Sequence, residues 1–526
     1  MKKEAGKNAP LTSRFPFSLA LADKHRFVVT LELVPGREAS GRSVDTVTSI
    51  ARDAFADGRI SAVSITDNPG GNPSLSPDVL GHDIFEIGMD VIVHFTCRDM
   101  NRIGMESRAL QLAMMGMKNI LALGGDYSGK GFGGQGAPVF DLDSVQLQIM
   151  LGLLSERINA SGDPDTFFTG CAVSPFKRTE AECYAQYAKL CRKAAAGAQF
   201  AITQLGYDAE KFKELLQITK VMGIHLPLLG SVYVLRPKVA ALIHGGNVPG
   251  AVVTDALLER VQKEWKDPAS GREAAIERAA RLCAVLKGLG YAGVHIGGVH
   301  RSFDIAGRIL DRFALIEDQW PDFLQDFDFP QPAGFYAFSR ELDEGAPHAL
   351  FGQSPPKINF VERLRYGLLR RAHDTFFDAT HPLGPVYRKG ARLIDTMPGG
   401  RRLMYLVEDI PKRALLHCQK CGDCAVQHVG FLCPESQCPK HIRNGACGGS
   451  RNGRCEVFPD RPCVWVRAYR RLVRGNKTRE ITEGCVPPRM WELNNTSAWL
   501  NFHLQRDHQG SSNELSRRCR MIGCRL

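Results

Sequence analysis

Between residues 27 and 300 the chain repeats one pattern: a short run of β-branched and other apolar residues, then a longer stretch with apolar residues at i, i+3 and i+4. The short runs fall at residues 27–33, 60–66, 91–96, 119–123, 167–173, 200–204, 226–232 and 293–297. Helical stretches between them include 101–117, 180–196, 208–222 and 272–289, with Lys, Arg and Glu on their other faces. Parallel neighbours need a helical crossover, so eight strands alternating with helices imply an α/β architecture closed as a (β/α)8 TIM barrel.

Such a barrel places its chemistry at the C-terminal ends of its strands. Polar residues close several of the apolar runs: Glu32 on the first, Thr66-Asp67-Asn68 after the second, and His94-Phe95-Thr96-Cys97 on the third. Asp126 follows the fourth, in the turn Gly124-Gly125-Asp126-Tyr127-Ser128-Gly129, and Gln204 ends the sixth. Packing alone gives no reason for polar groups at the ends of so many separate strands. Gly129-Lys130-Gly131 lacks the spacing of a phosphate-binding P-loop and is not read as one.

The chain has 526 residues, more than a barrel of roughly 250–300 needs, so additions are expected. We read an N-terminal extension over 1–24, the barrel over 25–317 and a connecting segment with limited structure of its own over 318–404. A cysteine-rich metal-binding domain then fills 405–485, followed by a tail over 486–526. The formal charge is +11, but acidic residues are spread throughout. That balance favours anionic small molecules or an acidic protein partner over nucleic acid. No apolar run reaches the ~18 residues of a membrane span, and residues 15–22 hold Pro16 and make no export signal. A soluble, cytoplasmic protein is expected.

Nine of the sixteen cysteines fall between Cys418 and Cys485. In a large chain without an export signal, metal ligation explains them better than disulfides. Cys418, Cys421, Cys424, Cys433, Cys438, Cys447, Cys455 and Cys463 make two sets of four, with Cys485 beyond. Three thiols two residues apart, and Cys433 and Cys438 each followed by proline, point to one or two [4Fe–4S] clusters, with zinc as the alternative. His428 and His441 could replace a thiolate, and spacing does not say which cysteine holds which metal. The basic run 467–479 is either a solvated helix face or a dock for an acidic carrier.

Three segments, Thr30-Leu31-Glu32-Leu33-Val34-Pro35, Leu121-Ala122-Leu123-Gly124-Gly125-Asp126 and Ala196-Gly197-Ala198-Gln199-Phe200-Ala201-Ile202-Thr203-Gln204, resemble signature segments of methylenetetrahydrofolate reductases. The resemblance spans about residues 25–315. It implies a flavoprotein of one-carbon metabolism that passes a hydride from reduced flavin to 5,10-methylenetetrahydrofolate, giving 5-methyltetrahydrofolate, or the reverse. Opening the substrate's imidazolidine ring needs a proton at the leaving nitrogen, which a carboxylic acid of raised pKa can deliver. The resemblance gives that role to Glu32, whose neighbours Leu31, Leu33 and Val34 are apolar. Asp126 would stabilise the cationic iminium and bind substrate and cofactor, and Gln204 would bind the pterin. Thr66, His94, Thr96 and Lys193 match flavin contacts.

Gly124 stands where the family commonly has Arg, and Val173-Ser174-Pro175-Phe176-Lys177 replaces a loop bearing Tyr or His. FAD is therefore the expected flavin, with FMN open. Residues 405–505 resemble the cysteine-rich small subunit of acetogen-type reductases, which implies electron delivery from NAD(P)H or a ferredoxin-type donor, in an oligomer or redox complex. The second reading is a non-catalytic iron–sulfur electron-transfer or scaffold component with a degenerate barrel.

Overall fold

The computed structural model describes residues 16–160, 166–338, 351–353, 358–510 and 514–522. Eight parallel strands close into a barrel in which each pairs with its sequence neighbours and the first with the last. They are β1 (Val28–Leu33), β2 (Ala62–Ile65), β3 (Val91–Thr96), β4 (Asn119–Leu123), β5 (Phe168–Val173), β6 (Phe200–Thr203), β7 (Leu228–Tyr233) and β8 (Gly293–Gly297). A ribbon of Lys130–Gly131 and Gly134–Gln135 stands apart in the loop after β4.

Alternation along the strands divides their side chains into two layers. Leu31, Leu33, Val63, Ile65, Val93, Ile120 and Cys171 join the large core shared with the helices, whereas Val28, Ala62, Ile92, Leu121, Phe200, Ile202 and Leu229 fill the barrel's interior. That interior is closed by α1 (Phe17–Ala22), inside the expected N-terminal extension. Phe17 meets Phe168 and Phe200 edge-on at 5.7 and 5.2 Å. Gly170 makes room for this stack, since a methyl there would lie 2.2 Å from the Phe200 ring. Above the apolar floor, His295 on β8 is held by Thr30 (Oγ1 to Nδ1, 2.8 Å) and Ser64 (Oγ to Nε2, 3.3 Å). Burial lowers its pKa to about 3, so the ring is neutral.

The helices of the barrel follow the amphipathic stretches read from the sequence, among them α4 (Arg102–Met114), α5 (Ser144–Ala160), α6 (Glu180–Ala195), α7 (Ala209–Val221) and α10 (Pro268–Leu289). Thr179 caps α6: its hydroxyl accepts from Glu182 N and donates to the Glu182 carboxylate. Every residue of α6 from Ala181 to Lys193 is buried. One face lies on the barrel; the other meets α16 (Val464–Val473), where Tyr184, Ala185 and Ala188 pack with Trp465, Ala468, Tyr469 and Leu472.

The connecting segment is more ordered than its sequence suggests. It contains a 3-10 segment, Glu317–Phe327, packed on α10, and the helices α12 (Phe360–Phe376), α13 (Gly384–Thr396) and α14 (Gly400–Leu416). Its prolines mask this, because Pro382, Pro385 and Pro398 precede or open helices, where the missing N–H costs nothing. Beyond it the chain is mostly loop, with α15 (Pro434–Gln437), α16, α17 (Ala498–His503) and α18 (Glu514–Met521).

Candidate functional site

With α1 closing one end, the open end of the barrel is the one onto which the C-terminal ends of the strands project. Glu32 lies there, at the end of β1 beside Ser64 on β2 and facing Gly297 on β8. A methyl at Gly297 would stand 2.9 Å from Glu32 Oε2, so the absence of a side chain leaves room for the carboxyl. Burial raises the Glu32 pKa to about 7. Tyr233, at the end of β7, lies close enough that the Glu32 charge adds to burial in pushing the phenol up to about 12. Its hydroxyl is 3.3 Å from His300 Nε2.

His94 continues the inward-facing row of Ile92 on β3, and Thr66, just past β2, continues that of Ala62 and Ser64, so both lie on the side of the sheet that Glu32 faces. Burial lowers the His94 pKa to about 4, which keeps the imidazole neutral. His94 Nε2 and Thr66 Oγ1 are both buried without a hydrogen-bond partner. Unsatisfied polar atoms on the wall of a barrel mouth are what a polar ligand would engage.

Thr96 is differently placed. Its N–H and hydroxyl both donate to Asp67 Oδ2, at 3.1 and 3.0 Å, and Asp67 is ion-paired with Arg108 at 2.9 Å. Arg108 also holds Asp78 and lies 4.5 Å over the Phe95 ring. Thr96 therefore braces the strand end.

Asp126 sits in the turn above β4, where its carboxylate accepts from Gly70 N at 3.1 Å. This turn is stacked tightly on its neighbour: Gly71, at φ +75°, lies so close that a methyl would be 2.1 Å from the Tyr127 carbonyl oxygen. Gln204 stands at the end of β6, its Nε2 donating to Pro249 O (2.9 Å) and its Oε1 accepting from Leu205 N (2.8 Å). Among the described residues, Gln204 makes no hydrogen bond to Asp126 or Glu32. Lys193 is away from the mouth. It rises from α6 and donates to the Ala172 carbonyl at 2.6 Å, in the layer between helix and strand, where burial lowers its pKa to about 8. Sequence resemblance could not show which side of the barrel wall a helical lysine would occupy.

Within each of the two expected sets of four, thiols lie near enough that ionising one disfavours ionising its neighbours. Burial raises the thiols of Cys421 and Cys433 to about 12 and 11; the charge of Cys424 adds to both, and to the rise of Cys418. In the second set burial raises Cys463 to about 12, Cys438 and Cys455 add to it, and Cys447 feels Cys463 and Cys438. The groups are Cys418, Cys421, Cys424, Cys433 and Cys438, Cys447, Cys455, Cys463. Among the described residues no three cysteine sulfurs lie within 4.8 Å of one another. Four thiolates on one zinc at about 2.3 Å would stand about 3.8 Å apart. Cys485 joins neither set; it packs with Cys519 of α18, and its N–H donates to the Cys519 carbonyl at 2.9 Å.

One side-chain group in this region does bring three ligand atoms together: Asp423, Asp507 and His508. Asp423 already accepts from His508 Nδ1 (2.5 Å) and Arg443 (2.8 Å). Burial pushes its carboxyl up, but the charges of His508 and Arg443 hold it well below the usual carboxylate range. Asp423 is thus already held in an ion-pair network, while Asp507 beside it accepts from Gln509 N.

The second set of cysteines lies against the barrel. Gln186 of α6 donates to the Cys447 carbonyl (2.8 Å), and Lys177, after β5, to the carbonyls of Gly448 and Ser450 (2.5 and 2.7 Å). Asp143, at the head of α5, accepts from the backbone of Arg443 and Asn444. Lys440 reaches in the opposite direction, from the cysteine region to the Gly125 carbonyl at 2.7 Å. Lys177, Tyr233 and Lys440 were missed in the sequence; of these only Tyr233 carried a signal, the inward alternation of Leu229 and Ser231.

Comparisons with known proteins agree with this architecture. A family model described as methylenetetrahydrofolate reductase matches residues 18–312, and one described as methylene-tetrahydrofolate reductase C terminal matches residues 397–492. A probable methylenetetrahydrofolate reductase (NADPH) of Caenorhabditis elegans is 26% identical over 224 residues, covering 41% of this chain and 31% of that protein. Methylenetetrahydrofolate reductase 1 of Schizosaccharomyces pombe is 20% identical over 377 residues, covering 66% of this chain and 59% of that protein. The chain thus spans less than two thirds of the length of either relative. A solved Clostridium thermocellum protein, described as binding two copies of 5-methyl-5,6,7,8-tetrahydrofolic acid, aligns at 11% identity and a TM-score of 0.38, covering 57% of this chain and 98% of that one. A likeness that distant carries no argument.

Proposed function

Because the chain belongs to the methylenetetrahydrofolate reductase family, we propose that it is a flavin-dependent oxidoreductase acting on 5,10-methylenetetrahydrofolate, forming 5-methyltetrahydrofolate or running the reverse reaction. The observation that carries the reading is Glu32: a carboxyl whose pKa is raised to about 7, at a barrel mouth with buried, unpartnered polar atoms on the adjacent strands. A group with that pKa is protonated in a useful fraction at neutral pH and can still release its proton. Glu32 would protonate the leaving nitrogen of the substrate ring, and in the reverse direction its carboxylate would take the proton back. Asp126 would offer negative charge to the cationic iminium formed on the substrate, and Gln204 would give up Pro249 to hydrogen-bond the pterin.

The mouth fits a flavin in that His94 Nε2 and Thr66 Oγ1 lack partners and neutral His94 can donate or accept. FAD, with FMN as the alternative, would supply the hydride when bound. Thr96 would act through the backbone it braces, and Lys193 is left out of the flavin set. For the cysteines we favour two [4Fe–4S] clusters over zinc. Three thiols two residues apart, with a proline after each of Cys433 and Cys438, support that reading. Electrons would come from NAD(P)H or a ferredoxin-type carrier.

The test is anaerobic purification with a visible spectrum and iron analysis, then reoxidation of the reduced flavin by methylenetetrahydrofolate. Glu32→Gln is expected to slow reoxidation about 100-fold or more while flavin reduction stays normal. Full turnover in that variant, or wild-type protein that takes up no flavin, would sink the reading.

A further inference from the structure

The turn that presents Asp126 is held from outside the barrel. Lys440 Nζ donates to the Gly125 carbonyl at 2.7 Å, and the side chain is buried. Its counter-ion is Glu456, also buried, whose other contact is the Cys447 thiol at 3.3 Å. The Lys440 side chain also lies 5.7 Å over the Phe140 ring, and Phe140 stacks with Tyr127, the residue after Asp126. Space for Glu456 comes from Gly449, where a methyl would lie 1.4 Å from Glu456 Oε2. This accounts for Gly449, which the metal ligation proposed for Cys447 does not explain.

A buried lysine costs desolvation and is retained only where its partners repay that cost. Here they are one carboxylate and one backbone carbonyl, on opposite sides of the boundary between cysteine region and barrel. We propose that Lys440 is a positioning residue of the barrel site: its ammonium, oriented by Glu456, fixes the Gly124–Asp126 turn and so sets where the Asp126 carboxylate stands over the mouth. The barrel site is then complete only when the cysteine region is folded and seated. The inference rests on the function proposed above, since its readout is the reaction at that mouth.

Lys440→Met removes the cation, and the double variant Lys440→Met with Glu456→Gln removes the pair together, so that no buried carboxylate is stranded. Lys440→Arg keeps a cation that can reach the carbonyl. Iron, flavin and steady-state kinetics with methylenetetrahydrofolate are measured on each full-length protein. The expected result is normal flavin and iron in the double variant, kcat/KM lowered about 10- to 100-fold mainly through kcat, and partial rescue by Lys440→Arg. Wild-type kinetics in a double variant that retains both groups would overturn the proposal. Loss of iron and flavin from both Lys440→Met proteins would also overturn it, leaving Lys440 a role in docking alone. Failure of the wild-type protein to use the folate would instead strike the proposed function.

Discussion

The barrel and the cysteine region reach order by different means. In the barrel, eight strands satisfy one another's backbone groups and two apolar layers fill the space inside and outside the sheet. After α14 there are few long elements and much strained backbone: of the eleven non-glycine residues with positive φ among the described residues, eight lie at or beyond His417, among them Lys420, Phe431 and His441. Left-handed backbone costs roughly 1–2 kcal/mol at such a residue, so something other than regular hydrogen bonding must hold these loops. If the thiol sets bind metal as proposed, they would do so, since Lys420 lies between Cys418 and Cys421, and Phe431 and His441 lie close to Cys433 and Cys438. A fold made by burial tolerates loss of a ligand, and a fold made by ligation does not.

The hardest test of that contrast is to remove the ligands of one proposed cluster. Cys421→Ser with Cys424→Ser is expected to abolish metal binding at the first set and expose residues beyond 405 to protease, while a fragment near 16–338 survives. Limited proteolysis with mass spectrometry reads this directly, and a barrel that melts together with the cysteine region would break the comparison. Phe17→Ala is the converse. It empties the floor of the barrel beneath Phe168 and Phe200, at a cost of about 3–5 kcal/mol, and calorimetry should show the barrel's transition lowered with iron content unchanged.

The smallest effect is set by pH. With a pKa of about 7, Glu32 is mostly protonated below that value and mostly ionised above it. Folate reduction, which needs the proton, should be level on the acid side and fall about tenfold per pH unit above 7; methyl oxidation, which needs the carboxylate, should rise through the same pH. A profile that follows the thiols of the cysteine sets instead would move the controlling group out of the barrel.

Much of the barrel was legible because its rules are local. The runs at 91–96, 119–123 and 293–297 coincide with β3, β4 and β8; the others lose a residue or two at their ends, and β7 also runs one residue further, to Tyr233. Glu32, Thr66 and His94 were readable from strand-end position, which fixes which way a side chain points. Lys193 was not, because a helix offers several faces and the sequence does not say which one meets the sheet. The helices α13 and α14 hid behind prolines, of which Pro382, Pro385 and Pro398 mark starts while Pro411 lies inside α14. Lys440 could not be found, since its partner Gly125 is 315 residues away and is a backbone carbonyl, which has no residue signature.

That choice of partner recurs across the boundary. Lys177, Lys189, Arg192, Lys440 and Arg451 all send their charged donors to main-chain carbonyls on the far side. Screening by dissolved ions weakens attraction between opposite charges in solvent, but it has little hold on a sheltered cation bound to a neutral dipole. Were the polypeptide nicked between its halves, a concentrated sodium chloride wash should not pull them apart, whereas a substitution that shifts the local main chain should.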